Sequence, residues 1–243
     1  SGTSLLRRSM EHSVHAGVPR LIYLSSFEYP STHAHPLHAL SMARAFANLL
    51  GEHFLFVIGR GVRHESLQGV PHATPFRCRF SILKTLHLRT LGYTFWLWFF
   101  LLRNPEWRSE LVVFTNDLKL ASGAGIVKRF FPFTLICEVH GQAAKVSNHV
   151  ATASEYVVCV TNGLKDAFLS KYGEHSSKVR VLGNGVDIEE FTKSTGKEIR
   201  DRLNVPLNVQ LVGYVGRFRP MQSDKGVSFM IDSLSKRSEH TRL

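Results

Sequence analysis

Short runs of β-branched and aromatic residues alternate along the chain with segments whose apolar positions recur every three to four residues. LIYLS (21–25), FLFVIG (54–59), LVVFT (111–115), FTLICEV (133–139), YVVCV (156–160) and VRVLG (179–183) read as six strands, each a compact apolar run bounded by polar or turn residues. PLHALSMARAFANLL (36–50) reads as a helix with Pro36 in its first turn and Leu37, Leu40, Ala43, Ala47 and Leu50 along one face. A further helix runs from about Leu118 to Phe130, its Gly123-Ala124-Gly125 serving close packing, and GLKDAFLSKY forms another that Thr161 or Asn162 can cap. Apolar strands separated by crossover helices predict an α/β class with a parallel sheet.

From Ile188 to Asn208 the pattern turns polar and reads as a short helix and a linker. VQLVGYVG (209–216) is then a strand, RFRPMQSD a loop and KGVSFMIDSLS (225–235) a helix. The expected organisation is a flexible lead-in over 1–19, a Rossmann-like domain over 20–187, a linker over 188–208 and the start of a second domain over 209–243. One strand and one helix cannot cover both faces of a parallel sheet, so the second domain is expected to be incomplete.

The 243 residues carry 30 Lys+Arg against 19 Asp+Glu, a formal charge of +11, with 44% hydrophobic and 20% charged positions. That balance is a globular core's and excludes disorder, collagen and coiled coil as the main class. Cys78, Cys137 and Cys159 show no C-x-x-C spacing, and the last two sit in apolar runs, which points to a reducing compartment and no zinc site. The first residues lack the apolar stretch and cleavage site of a secretory signal, so a cytoplasmic location is expected.

One segment changes the picture. TLGYTFWLWFFLL (90–102) lies between Arg89 and Arg103, and its thirteen residues fall short of the about 20 that cross a bilayer. No acidic residue occurs from Ser66 to Pro105, whereas five cations stand among several aromatic side chains. Two readings follow: a buried helix covering the sheet, or a peripheral contact of Arg89, Trp96, Trp98 and Arg103 with an anionic membrane at its inner face.

Among candidate chemistry, Gly216-Arg217 followed by Lys225-Gly226 places a glycine, a guanidinium, an ammonium and a helix start after a strand, a combination suited to an anion. His140 follows the strand FTLICEV, at whose carboxyl edge its imidazole can meet a substrate hydroxyl or simply cap a loop, and Glu138 shares its strand face. His33, His35 and His38 form an H-x-H-x-x-H run, but no carboxylate or cysteine nearby completes the set and the helix start explains the polar residues, so no metal is expected. G-x-G-x-x-G after the first strand, a P-loop and a G-x-S-x-G elbow are all missing, which argues against dinucleotide oxidoreductases, P-loop enzymes and Ser-His-Asp hydrolases. Nonspecific nucleic-acid binding is disfavoured, because the basic residues cluster with tryptophans and no nucleic-acid motif occurs.

The succession ASEYVVCVTNGLKDAF, KVRVLGNGVDIEEF, VQLVGYVGRF and DKGVSFMIDSL resembles the family 4 glycosyltransferases, retaining enzymes of the GT-B fold. The likeness covers about Leu21 to Ser235. It implies a Rossmann-like N-terminal, acceptor-side domain plus the first strand, loop and helix of a second Rossmann-like domain, and transfer of a sugar from a nucleotide-sugar donor to a saccharide or lipid-linked acceptor. No cofactor is implied, the nucleotide sugar being a substrate. On this likeness His140 matches the family's catalytic histidine near the donor sugar, and Gly216, Arg217, Lys225 and Gly226 hold the donor diphosphate. Asn184-Gly185-Val186-Asp187 matches its hinge, with Gly185 expected at positive φ. Tyr29-Pro30-Ser31-Thr32 stands where the family has paired glycines, leaving Ser31 as the candidate in that loop. The family's paired-glutamate signature does not occur, so a weak or inactive catalyst is expected. The other reading is a Rossmann-like module that binds a ligand or partner without turnover.

Overall fold

The computed structural model describes residues 17–31, 33–61, 65–75, 86–141, 143–185, 188, 196–214, 216, 226–236 and 241–242. The chain divides into two units, Ser1–Asn184 and Gly185–Leu243.

In the first unit the strands are β1 (Arg20–Leu24), β2 (Glu28–Tyr29), β3 (Phe54–Val57), β4 (Arg60–Gly61), β5 (His72–Ala73), β6 (Leu111–Thr115), β7 (Thr134–Val139), β8 (Tyr156–Cys159) and β9 (Val179–Val181). Seven of them form one sheet in the order β5-β3-β1-β6-β7-β8-β9, every neighbouring pair parallel. β2 and β4 make a separate two-stranded pair. The helices are α1 (Ala34–Leu50), α2 (Leu86–Arg103), α3 (Leu118–Val127), α4 (Asn148–Ala153) and α5 (Asn162–Leu169). This is the parallel α/β architecture that the apolar runs predict. The additional edge strand β5 is only two residues long and leaves no apolar run to read.

Strand alternation sorts the core into two faces. Leu21 and Tyr23 pack with α1, Phe54, Phe56 and Phe114. Ile22 and Leu24 point the other way, to Tyr93, Leu97 and Leu101 of α2 and Leu120 and Ala124 of α3. Beyond β7, Cys137, Val139, Val157 and Cys159 are sealed by α4 and α5 with Phe168. Both cysteines are free and buried, and burial pushes the Cys137 thiol up to about 12.

Two helices refine the expectation. The buried stripe of α1 is Pro36, Ala39, Leu40, Ala43 and Ala47, with Leu37 48% exposed. The stripe is rotated by about one residue because small alanines let the helix lie close to the sheet, which outweighs burying Leu37. α2 covers the sheet with Tyr93, Leu97 and Leu101, while Leu91, Phe95, Phe99 and Leu102 stay exposed. Among the described residues no helix is long and apolar enough to cross a membrane.

In the second unit α6 (Lys197–Leu203), β10 (Gln210–Leu211), α7 (Val227–Ser235) and β11 (Thr241–Arg242) are formed. β10 is shorter than the strand expected over 209–216 and pairs in parallel with β11. Gly185 is not at positive φ, contrary to the hinge expectation, so no left-handed turn is required there. Val186 and Asp187 lie outside the described residues.

Candidate functional site

β1 is paired on one side with β3, reached through α1, and on the other with β6, which leads through α3 to β7. Because α1 and α3 cover opposite faces, the strand order reverses between β1 and β6. The crevice at the carboxyl ends of strands beside such a reversal is where open α/β sheets bind ligands.

The segment after β1 is fastened there from several directions. Thr115 Oγ1 donates to Leu24 O at 2.9 Å, Tyr93 Oη to Ser25 O at 2.7 Å, and Arg89 Nη1 to Ser26 O at 3.1 Å. Ser26 Oγ donates to Asp117 Oδ2 at 2.6 Å, while Asp117 Oδ1 accepts from the amides of Lys119 and Leu120 and caps α3. A Cβ on Gly59 would stand 2.6 Å from Ser26 O, so only glycine permits this approach of β3's exit to the loop.

His140 emerges directly after β7. Alternation along that strand places Cys137 and Val139 on the α4 side and Ile136 and Glu138 on the α1 side. Glu138 is 5% exposed and its Oε2 lies 2.8 Å from His140 Nε2. An ionised carboxylate only accepts, so the ring donates from Nε2 and leaves Nδ1 as an acceptor. His38, from the second turn of α1, brings its Nε2 to 3.9 Å from the same oxygen. The ring centroids of His38 and His140 are 4.9 Å apart, and those of His35 and His140 5.8 Å. Burial holds the His38 pKa below its ordinary value, against the opposing pull of the Glu138 charge. Among the described residues, the buried atoms His38 Nε2, Asn116 Oδ1 and Tyr23 Oη have no hydrogen-bond partner.

Two hollows open at this edge. One, of about 260 Å³, is lined by Phe27, His35, Asn116, Asp117, Glu138 and His140. The other, of about 530 Å³, is lined by Ser26, Glu28, Pro30, Ser31, His33 and Arg89.

His140 and Ser31 therefore line one hollow each at the carboxyl edge of the sheet. Arg89, expected with the aromatic contact residues, instead donates to Ser26 O and lies 3.4 Å from the Glu28 carboxylate. Trp96 is half-buried and stacked on Phe100 at 5.0 Å. Trp98 is 37% exposed, and the Arg103 guanidinium lies 3.9 Å over the Phe99 ring. In the second unit Gly216 has φ 154° and Gly226 caps α7 at φ 73°. Arg217 and Lys225 lie outside the described residues. Sequence reading missed Asp117, although an aspartate just before a helical pattern is a legible cap. It also left the H-x-H-x-x-H run without a carboxylate; the fold supplies Glu138 from a distant strand, a pairing with no local signal.

The family model described as Glycosyltransferase Family 4 matches residues 37–190. A curated relative, D-inositol 3-phosphate glycosyltransferase of Kineococcus radiotolerans, is 31% identical over 75 residues, 30% of this chain and 17% of that one. Among solved structures, Anabaena HepE in complex with UDP and glucose aligns with a TM-score of 0.64 at 17% identity, over 92% of this chain and 59% of HepE. The lipopolysaccharide outer core galactosyltransferase WaaB in its apo form aligns at 0.61 and 16% identity, over 92% and 59%. Sucrose-phosphate synthase of Thermosynechococcus elongatus aligns at 0.60 and 14% identity, over 93% and 61%. The chain thus spans less than two thirds of each of these relatives, and the structural likeness is one of fold.

Proposed function

The chain belongs to Glycosyltransferase Family 4, its family model spanning residues 37–190, and from that premise we propose that it serves transfer of a sugar from a nucleoside diphosphate sugar to an acceptor hydroxyl with retention of configuration. The observation that carries the reading is His140 at the carboxyl end of β7, braced by buried Glu138 and lining the 260 Å³ hollow beside the strand reversal. Glu138 fixes the ring so that Nδ1 accepts from a sugar hydroxyl while Nε2–H stays on the carboxylate. The fastened Ser25–Ser31 loop holds its side of the hollow in place before substrate arrives, which lowers the ordering cost of binding.

The donor diphosphate belongs with Gly216, Arg217, Lys225 and Gly226. Gly226 opens α7, whose first amides suit an anion, and Arg217 and Lys225 would add two cations where charge develops on the departing phosphate. UDP-glucose is the first donor to try, HepE having been solved with UDP and glucose. The acceptor is saccharide or lipid-linked, and the outward face of α2 supports the second choice. Leu91, Phe95, Trp98, Phe99 and Leu102 fall on one exposed side of that helix, with Arg103 beside them. Exposed aromatics flanked by basic residues suit the interface of an anionic membrane.

The test is calorimetric titration of UDP-glucose, followed by an assay for UDP release with and without acceptor. Arg217→Ala is expected to weaken donor binding by about 1–3 kcal/mol, the scale of a charge-assisted hydrogen bond, and His140→Ala to abolish turnover while sparing most of the affinity. Binding without turnover under every acceptor would favour a non-catalytic module, and donor affinity unchanged in Arg217→Ala would remove that residue from the site.

A further inference from the structure

His38 on α1 and Glu138 and His140 at the end of β7 come from two distant places in the chain, and their ligand atoms all lie within 4.8 Å of one another. Glu138 Oε2 is 2.8 Å from His140 Nε2 and 3.9 Å from His38 Nε2. A tetrahedral ion about 2.1 Å from each ligand sets ligand pairs about 3.4 Å apart, a value between those two spacings, so small side-chain shifts would close a three-ligand shell. The elements carrying the ligands are packed: His38 lies on α1, whose buried stripe sits on the sheet, and Glu138 on a central strand. His38 Nε2 is buried and has no hydrogen-bond partner among the described residues, while Glu138 is a carboxylate 5% exposed that faces two imidazoles. An orphaned buried nitrogen aimed at a buried carboxylate is the arrangement that a bound cation resolves. Two imidazole nitrogens and one carboxylate oxygen select zinc-class transition metals over magnesium or calcium, which take oxygen. Glu138 and His140 also line the 260 Å³ hollow, leaving room for water or a substrate oxygen as fourth ligand.

We propose that His38, Glu138 and His140 form a binding site for a zinc-class divalent transition metal, and that the bound ion and the Glu138–His140 hydrogen bond exclude one another. The ion takes the Nε2 lone pair of His140, so the ring must donate from Nδ1 instead and can no longer accept there. Metal occupancy is therefore an inhibitory state of the transferase; this consequence rests on the role given to His140 above, whereas the metal site does not.

The experiment titrates the metal-free full chain with Co2+ alone and then with Zn2+. One equivalent of Co2+ should give visible absorption bands of low-symmetry coordination, which Zn2+ removes. His38→Gln, Glu138→Gln and His140→Gln should each weaken binding by at least about 10- to 100-fold, the range that even outer-shell partners reach. His53→Gln changes a ring whose carboxylate neighbour is Glu52 at 4.0 Å and should leave binding unchanged. Should His38→Gln fail to fold by circular dichroism, the near-isosteric Glu138→Gln carries the test. Absence of the bands, or binding undiminished in Glu138→Gln and His140→Gln, overturns the site. In the UDP-glucose assay, Zn2+ should suppress turnover by the unmodified chain at the concentrations that displace Co2+; turnover unaffected at full occupancy overturns the exclusion. Co2+ binding in a chain without turnover leaves the metal site standing and tells against the transferase reading alone.

Discussion

At the tip of β6 the Asp117 carboxylate accepts from Ser26 Oγ and from two amides of α3, joining the loop after β1 to the start of that helix. Asp117→Ala removes the cap and the tie together and should cost about 1–2 kcal/mol, with Asp117→Asn recovering much of it, as read from urea denaturation midpoints. Cys137 gives a pH prediction. Its folded pKa of about 12 lies above the ordinary thiol value of 9.0 because burial disfavours the thiolate. The unfolded chain therefore releases this proton first, and stability contributed below pH about 9 is lost as pH rises towards 12. Cys137→Ala should flatten that part of the stability–pH profile, and native Cys137 should resist Ellman's reagent at pH 8 until the chain is unfolded. His140 and Glu138 were legible together because two residues apart on a strand means one face. His38 was not, since only the packing of α1 on the sheet brings it to that carboxylate.

α3 packs on α2 through Gly123 and on α4 through Gly125, as the Gly123-Ala124-Gly125 run suggests. A Cβ at 123 would stand 2.2 Å from Thr94 Oγ1, and one at 125 would stand 3.0 Å from Ala153 Cβ. Thr94 Oγ1 is held by Thr90 O at 2.9 Å and does not turn away freely. Gly123→Ala should therefore destabilise by about 1–3 kcal/mol despite its better helix propensity. In a Thr94→Ala background the same change should be near neutral, because the next contacts, Thr90 Cγ2 and Thr94 Cβ, are 3.5 Å away; a denaturant double-mutant cycle measures the difference. The helices were readable from periodicity, but which stripe of α1 faces inward was not. Side-chain size decided it through Ala39 and Ala43, and no count of apolar positions carries that information.

Across the whole molecule, 30 Lys+Arg against 19 Asp+Glu leave a charge of +11. Cosedimentation with vesicles containing anionic phospholipid should be strong at low salt, weaken as salt rises, and disappear with neutral vesicles. Phe95→Ser and Trp98→Ser should reduce it, and Arg103→Gln should cost about 1 kcal/mol, the contribution of one basic residue near such a surface. Sedimentation indifferent to all three changes would remove α2 from the contact. Six strands of the first unit were legible because each pairs an apolar run with a turn signal, whereas β2, β4 and β5, of two residues each, carry no such run. In the second unit the expected diphosphate residues rest on four family-like segments, and two of them, Arg217 and Lys225, lie outside the described residues.

Because all seven strands of the main sheet run the same way, the unit has one rim, at the strands' carboxyl ends, that carries the proposed site and another that is idle in that proposal. Glu52 lies just before β3 begins, on the idle rim, with its side chain 91% exposed. The five inner strands, of four to six residues at about 3.3 Å each, put some 13–20 Å of packed sheet between the rims. A fluorophore or biotin attached through a cysteine at position 52 should leave the opposite rim open, so the protein can be immobilised on a sensor chip facing its ligands.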